Sequence, residues 1–455
     1  MPKKKDCPPN VIWILCDQLR AQAFSYRGDR NIRTPNIDNL AREGMRFDAA
    51  LAGTPWCTPF RGALLTGKYP HQVGTPRTPS HLDPKHGSIA RPFREAGFHT
   101  AWIGKWHLYG SNESPVIPEE HRGGFDYWMG YENNNKQNDC WVHGNGQEEP
   151  RRLPGYETDS LTDIFLEHLR GHIGKTGERG SYQPFFACLS VQPPHSPYVG
   201  PTNPLYGDHG PSPAEVTFRP NVPHAGWVRD KAAMDLAGYY AMIRNIDWNL
   251  GRIRDSLKAL GVDRETFVIF FSDHGDMLGS HAQWEKSSPW EEAVRIPFIV
   301  GRTGGISRMP VGRCDATLNH VDIAPTTLGL CGIEAPSEMR GHDYSDYCRH
   351  FGDALFGKAP KREEEPDSAY LQQLVRKRHP HSVNCEWRGV VMRDGWKYIC
   401  TPGNAWLLHN TREDPFEMAN LVHDECFREE RARCQARLER WINETGDSFQ
   451  LPAES

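Results

Sequence analysis

The chain has 455 residues, of which 53 are Lys or Arg and 58 are Asp or Glu, so its formal net charge is −5. A charge this small and evenly spread argues against nucleic acid and against an anionic membrane surface as partners. The mean hydropathy of −0.67, with no long apolar run, excludes a transmembrane helix.

The chain begins with a basic segment at 1–6, followed by two prolines and the apolar run 11–16. No small-residue cleavage site follows this short run, so a buried strand is a better interpretation than a signal peptide. The 12 cysteines are scattered singly, without a C-x-x-C pair. Without an export signal, this pattern favours free thiols and a cytoplasmic location, or a periplasmic or secreted one if a leader has been trimmed.

Four short apolar runs, at 11–16, 100–104, 185–191 and 267–271, predict buried strands of a mainly parallel sheet with helices on both faces. Each run ends next to polar residues. The carboxyl ends of parallel strands meet at one edge of a sheet, where α/β proteins bind their ligands. The four strand ends therefore predict one site. The polar residues after the runs are Asp17, Gln18, Lys105, His107, His195, Asp273 and His274.

Between these runs, apolar spacing or an N-terminal helix signature predicts helices at 34–41, 161–169 and 234–260. Two stretches rich in Pro, Gly and Asn, 108–155 and 196–230, are interpreted as long loops without regular elements. Loops of that length in a compact domain are usually functional, so they are the expected determinants of substrate choice. The residues singled out in them are Asn133, Asn134, Asn135, Trp141, His143 and Tyr198.

The pattern changes after two charged breaks at 361–366 and 376–379, both interpreted as solvated surface. Short strands joined by tight turns then predict an antiparallel sheet, and a charged amphipathic helix follows at 425–442. We therefore expect an N-terminal catalytic α/β domain at 1–364 and a C-terminal subdomain at 365–455. The predicted strands of the subdomain are 387–392, 396–401 and 405–408.

The most informative segment is C-T-P-F-R-G-A-L-L-T-G-K-Y-P at 57–70. Pro59 is suited to the first turn of a helix and Gly67 to the position just past its end. Cys57 then lies at the helix N-terminus, where free N–H groups and the positive end of the helix dipole favour an anion. Arg61 follows one turn later, so the segment predicts an anion beside a nucleophile.

This segment closely resembles the signature of the formylglycine-dependent (type I) sulfatases, which belong to the alkaline phosphatase superfamily. The resemblance implies an α/β fold: a central mixed, mostly parallel sheet between helices, as in alkaline phosphatase, plus a smaller C-terminal α+β subdomain with an antiparallel sheet. It extends over most of the chain, through the segments at 11–18, G-K-W-H at 104–107, G-F-D at 124–126, S-D-H-G-D-M-L-G at 272–279 and D-P-F-E at 414–417.

The resemblance implies that a formylglycine-generating maturation enzyme oxidises Cys57, and that the hydrated aldehyde attacks the sulfur of a sulfate ester. It also implies one divalent metal ion. The implied metal ligands are Asp17, Gln18, Asp273, His274 and Cys57, and the residues implied around the sulfate are Lys105, His107, His195 and Lys286.

Each implied role suits the chemistry of its residue. Arg61 would steady the hydrated aldehyde and hold the metal-site carboxylates. Lys105, His195 and Lys286 would bind the substrate, since a sulfate ester reacts only when its non-bridging oxygens are neutralised. His107 would be the base that breaks down the sulfated intermediate, and either His195 or Lys286 would protonate the leaving oxygen.

Two positions depart from the common family pattern of Asp-Asp and Asp-Asn. The chain has Asp17-Gln18 and Asp273-His274 instead. Oxygen ligands suit Ca²⁺, which is the expected metal, whereas an imidazole suits Mn²⁺, which is the alternative.

The sequence thus predicts hydrolysis of a sulfate monoester on a carbohydrate or an aryl group, with a sulfated saccharide favoured because Asn and Trp suit a sugar ring. A phosphonate monoester or phosphodiester hydrolase using the same formylglycine is the alternative, and a non-catalytic anion-binding relative is the third hypothesis. The sequence leaves open whether the chain forms a homo-oligomer.

Overall fold

The computed structural model of the protein describes residues 8–111, 116–174, 182–201, 210–302, 311–349, 362–377 and 379–453. The basic segment 1–6 lies outside these residues, as do Lys361 and Arg378 of the two charged breaks.

A ten-stranded mixed sheet forms the centre of the larger part of the fold. Its strands are β1 (Asn10–Cys16), β2 (Met45–Phe47), β3 (His99–Lys105), β4 (Tyr127–Tyr131), β5 (Trp141–Gly144), β6 (Gln147–Arg152), β7 (Phe185–Val191), β8 (Thr266–Ser272), β9 (Phe298–Arg302) and β10 (Gly312–Cys314). They are ordered β10-β2-β9-β8-β1-β7-β3-β4-β5-β6, and the five from β8 to β4 run parallel.

Helices cover both faces of this sheet, which explains why all seven residues of β1 are buried. Ile12 and Ile14 point into the core on one face of the sheet, whereas Trp13 and Leu15 point into the core on the opposite face. No helix of the described residues is both long and apolar enough to cross a bilayer. The helices are α1 (Pro35–Glu43), α2 (Cys57–Thr66), α3 (Ala90–Glu95), α4 (Glu157–Ile173), α5 (Gly226–Ala259), α6 (Glu291–Val294), α7 (Ile323–Leu330), α8 (Ser345–Arg349) and α9 (Arg428–Thr445).

A second, antiparallel sheet of four strands follows in the order β11-β12-β13-β14, and α9 packs on it. Its buried Lys397 donates to the Pro289 carbonyl at 2.9 Å and pairs with Glu291 and Glu417, so ionic contacts tie this sheet to α6. The strands are β11 (Ser368–Gln373), β12 (Trp387–Met392), β13 (Trp396–Thr401) and β14 (Asn404–Asn410).

The predicted fold class is confirmed: a mixed, mostly parallel sheet between helices and a C-terminal antiparallel sheet. The prediction that 108–155 holds no regular elements is wrong, because β4, β5 and β6 lie there and extend the sheet. The reason is visible in β6, whose sequence Q-E-E-P-R-R is exposed along an edge and carries no apolar alternation.

Asp447 anchors the chain after α9 to the second sheet. Its Oδ2 accepts hydrogen bonds from Arg388 Nε at 2.6 Å, Tyr370 OH at 2.8 Å and Gln372 Nε2 at 2.6 Å. Burial would raise the pKa of Asp447, but the hydrogen bonds and charge of Arg388 lower it from 3.8 to about 2. A depressed carboxyl pKa stabilises the folded state above the unfolded pKa, and this stabilisation disappears as the pH falls toward the folded value.

We therefore predict that Asp447→Asn lowers the free energy of unfolding by about 2 kcal/mol at pH 7 and by roughly half as much at pH 3. Urea unfolding of both proteins at the two pH values measures the difference. Asp163→Asn, which removes an exposed ion pair with Arg252, is the control and should change stability by less than about 0.5 kcal/mol. An Asp447→Asn effect that does not depend on pH would contradict the assignment.

Candidate active site

Cys57 is the first residue of α2, as the sequence predicts. Trp56 before it is extended (φ −155°, ψ 136°), and Gly67 ends the helix at φ 64°, a left-handed conformation that favours glycine. The side chain of Cys57 is buried, and so is the whole of α2. The free N–H groups of its first turn therefore face the interior of the protein at Cys57.

The ends of β1 and β8 bring the predicted metal ligands together. The two strands are parallel neighbours, with Cys16 opposite Ser272, so Asp17 and Asp273 emerge side by side. The backbone N–H of Gln18, which has φ 70°, donates to Asp273 Oδ1 at 3.0 Å. The order of the strands therefore builds the cluster.

Four predicted ligands offer atoms that all lie within 4.8 Å of one another: Asp17, Cys57, Asp273 and His274. His274 Nε2 lies 3.6 Å from Asp17 Oδ1, 3.5 Å from Asp273 Oδ1 and 3.2 Å from Cys57 Sγ. Gln18 is adjacent, but its amide bonds elsewhere: its Oε1 accepts from Lys286 Nζ at 2.8 Å.

Arg61 spans the two carboxylates, as predicted. Its fully buried guanidinium donates from Nε to Asp273 Oδ2 at 3.2 Å and from Nη2 to Asp17 Oδ2 at 3.4 Å. Nη1 donates to Ser190 Oγ at 2.9 Å and to the Lys105 carbonyl at 3.0 Å. Ser190, near the end of β7, was not predicted from the sequence, although it follows the same strand-end rule.

Two lysines make the site strongly positive around Cys57. Lys105 Nζ donates to Asp17 Oδ2 at 2.5 Å, and Lys286 Nζ donates to Cys57 Sγ at 3.2 Å. Burial alone would raise the pKa of the Cys57 thiol, but Lys286 and Lys105 bring it well below its usual range. Burial would likewise raise the pKa of Asp17, yet the same two ammonium groups contribute to holding it below its usual range. The site therefore stabilises negative charge at position 57.

The two predicted histidines lie on either side of this charge. His195 Nε2 is 2.6 Å from Lys286 Nζ, while its Nδ1 is 2.6 Å from the Ser196 carbonyl. Burial and Lys286 lower the pKa of His195, so Nδ1 donates and Nε2 accepts. His107 is buried against Cys57, and burial followed by Lys105 lowers its pKa to about 4. A neutral imidazole at His107 is able to take a proton.

Some residues of this region were missed or misplaced by the sequence analysis. Lys377 lies in the break interpreted as solvated surface, but it is largely buried and pairs with Glu285 at 2.6 Å, directly beside Lys286. The two partners are 92 residues apart, and no local pattern connects them. Asp276 lies behind Gln18, accepting from its Nε2 and from Tyr198 OH, both at 2.6 Å.

The residues proposed to select the substrate divide into two groups. Asn133, Asn135 and Trp141 are exposed, and Asn134 is half-buried. His143 and Tyr198 are not available to a substrate: His143 is buried and accepts from the Ile117 N–H at 3.0 Å, and Tyr198 bonds to Asp276.

Comparisons with known proteins identify the family. The model described as Sulfatase matches residues 9–333, which is more than half of the chain. This protein belongs to the sulfatase family. A second model, described as N-sulphoglucosamine sulphohydrolase, C-terminal, matches residues 279–444 of the sulfatase.

The sulfatase is 31% identical to an ulvan-active sulfatase of Formosa agariphila, covering 97% of this chain and 82% of the relative. It is 32% identical to an endo-4-O-sulfatase of Bacteroides thetaiotaomicron, covering 80% and 77%. A solved B. thetaiotaomicron structure, from work on the metabolism of multiple glycosaminoglycans, superposes with a TM-score of 0.81 at 28% identity over 97% of both chains. The sulfatase is thus a sulfuric ester hydrolase of the alkaline phosphatase superfamily.

We predict that Arg61→Gln, studied in chelator-treated sulfatase, lowers the free energy of unfolding by about 3 to 5 kcal/mol, because two buried carboxylates lose their shared partner. Urea unfolding measures the loss. The exposed Arg170 on α4 provides a control, and Arg170→Gln should cost less than about 0.5 kcal/mol. A loss below about 1 kcal/mol for Arg61→Gln would show that the carboxylates do not depend on it.

Proposed function

We propose that this sulfatase hydrolyses a sulfate monoester of a saccharide, using formylglycine formed from Cys57 and one divalent metal ion. The observation that carries the proposal is the burial of one nucleophile position, two carboxylates, two lysines and three histidines at a single sheet edge. A protein that only binds anions would not need a nucleophile, an acid and a base in one site. Their presence together argues against the hypothesis of a non-catalytic anion-binding relative.

The donor set fits a divalent cation. Asp17 and Asp273 are fully buried and close together, and burial followed by the charge of Asp17 raises the pKa of Asp273 to about 6. Two carboxylates that repel each other in this way favour a cation between them. Asp17, Gln18, Asp273 and His274 would hold the ion. Their oxygens suit Ca²⁺, while the imidazole keeps Mn²⁺ as the alternative. When bound, the ion would polarise a sulfate oxygen.

Formylglycine would place a hydrated aldehyde, instead of a thiol, at the N-terminus of α2. Its formation requires a maturation enzyme, which is therefore a partner of the sulfatase. Lys105 and Lys286, which already surround position 57, would neutralise the non-bridging oxygens of the sulfate. His107, neutral at pH 7, would accept the proton that position 57 gives up.

The geometry favours Lys286 over His195 as the group that protonates the leaving oxygen. The Lys286 ammonium has three protons and three acceptors, namely Gln18 Oε1, Cys57 Sγ and His195 Nε2. His195 uses its own proton on the Ser196 carbonyl, so the ammonium is the proton-bearing member of the pair. In this proposal His195 orients Lys286.

A saccharide is supported by the surroundings of the site. Gln137 Nε2 donates to the His195 carbonyl at 3.1 Å and Gln192 Nε2 donates to Asn135 Oδ1 at 2.8 Å, so the segment that carries the exposed Asn135 packs against residues 192–195. Trp227 is 58% exposed and stacks on Trp284, which stands two residues before Lys286 in the chain, with ring centroids 5.6 Å apart. Amides and an exposed aromatic face suit the hydroxyls and C–H face of a sugar ring.

The names of the relatives also support a saccharide substrate. They are an ulvan-active sulfatase, an endo-4-O-sulfatase and a protein of glycosaminoglycan metabolism. The alternative hypothesis, a phosphonate monoester or phosphodiester hydrolase, has support at the level of the fold alone. A phosphonate monoester hydrolase of Agrobacterium radiobacter superposes with a TM-score of 0.72 at 22% identity.

We predict that Cys57→Ala abolishes turnover of 4-nitrophenyl sulfate but preserves folding and the rise in Tm on adding Ca²⁺ or Mn²⁺ to chelator-treated protein. The nucleophile is lost, whereas the carboxylates remain. Asp273→Asn is the matched comparison and should lose both turnover and the metal-dependent rise. Substantial turnover by Cys57→Ala would exclude the proposed nucleophile. Faster hydrolysis of a phosphonate monoester than of any sulfate by the unaltered enzyme would favour the alternative.

We also predict that Trp227→Ala raises KM for a sulfated oligosaccharide about fivefold, since stacking on an aromatic face is worth roughly 1 kcal/mol. The kcat/KM for 4-nitrophenyl sulfate, which carries no sugar ring, should stay the same. Met418→Ala, which removes another large exposed apolar side chain, is the control. Equal losses on both substrates would mean that Trp227 acts on the fold and not on the saccharide.

A further inference from the structure

A large cleft lies apart from the catalytic residues. One wall is formed by residues 21–31 and 217–220, and the other by 391–395 and 411–416 next to the second sheet. We call it the arginine cleft. It encloses about 1050 Å³, and its lining includes none of the metal-ligating or sulfate-binding residues described above. That volume is at the upper end of the range for ligand pockets.

The arginine cleft is positively charged in a chain whose net charge is negative. Seven arginines and four carboxylates line it, and two of these arginines, Arg219 and Arg393, also pair with Glu292 and Glu365 behind the lining. Arg27 and Arg313 share the single carboxylate of Asp48, at 2.9 and 2.5 Å. Because a guanidinium has five N–H donors, such shared pairs leave donors over for a ligand.

Two of the arginines, Arg30 and Arg412, are exposed and lie on opposite walls. Arg412 donates from Nη2 to the Arg393 carbonyl at 2.5 Å, which directs its guanidinium toward the turn between β12 and β13. Among the described residues, the other five arginines of the cleft each pair with a carboxylate within 4 Å, whereas Arg30 and Arg412 do not. Their charges are therefore available to an anion in the cleft.

Apolar rings alternate with these charges. Phe416 and Phe218 line the cleft, and the guanidinium of Arg219 lies over the Phe416 ring, 4.8 Å from its centroid. A guanidinium fork matches a sulfate or a carboxylate, and an aromatic face matches the C–H face of a sugar ring. A mixture of arginines and half-buried phenylalanines thus suits a charged saccharide better than a small inorganic ion.

We propose that the arginine cleft is a second, non-catalytic binding site for an anionic saccharide chain. This proposal rests on the proposed function in one respect only, which is that the anion is taken to be a saccharide. A polymer held there would stay tethered to the enzyme while other sulfate groups along it reach the catalytic site, which raises their effective concentration. The cleft would thereby favour polymeric over small substrates.

The test uses Cys57→Ala protein, in which turnover is blocked, and a chondroitin sulfate octasaccharide as the probe, followed by isothermal titration calorimetry. Adding Arg30→Ala and Arg412→Ala should weaken binding at least tenfold. Arg170→Ala with Arg440→Ala, two exposed arginines outside the cleft, is the matched control and should leave binding unchanged. In the otherwise unaltered chain, Arg30→Ala with Arg412→Ala should keep full activity on 4-nitrophenyl sulfate.

Three results would overturn the proposal. The first is octasaccharide binding that does not change in the double cleft variant. The second is equally tight binding of a single-stranded DNA of matched charge, which would show that the cleft does not select saccharides. The third is a parallel loss of 4-nitrophenyl sulfate hydrolysis, which would place the arginines in the catalytic architecture. Because binding is measured without turnover, failure of the proposed reaction would remain distinguishable from failure of the cleft.

Discussion

Two carboxylates with no solvent exposure, Asp17 and Asp273, impose the constraint on which the rest of the site depends. A buried carboxylate is costly unless cations and hydrogen bonds surround it. Arg61 spans both groups and Lys105 contacts Asp17, so the positive side chains that such a site needs are already in place before any ligand binds. A divalent ion would complete the same balance of charge.

The fold meets this constraint through strand order. The carboxylates follow β1 and β8, which are parallel neighbours, and the helix that begins at Cys57 directs its first turn at them. The same positive surroundings that compensate the carboxylates lower the pKa at Cys57. One electrostatic arrangement therefore serves the metal position, the nucleophile and the sulfate. Because these three functions share one set of charges, the polar residues that follow the strands are buried together at one edge of the sheet.

Much of this arrangement was predictable from the sequence, because strands buried on both faces are apolar along their whole length and the polar residues after them are easily recognised. The helix at Cys57 was predictable from Pro59 and Gly67. The ion pair of Lys377 with Glu285 was not, since the partners are far apart in sequence and each resembles a surface charge. The arginine cleft was not predictable for the same reason, because its residues come from loops, strands and helices that are far apart in sequence and share no motif.

The most direct test of the central claim is the mass of the tryptic peptide 47–61, taken from sulfatase purified from its native host and shown to hydrolyse a sulfate ester. We predict a peptide mass that corresponds to an aldehyde in place of the Cys57 thiol. An unmodified cysteine in fully active enzyme would contradict it, because the buried, positively surrounded position 57 would then act through sulfur or not at all.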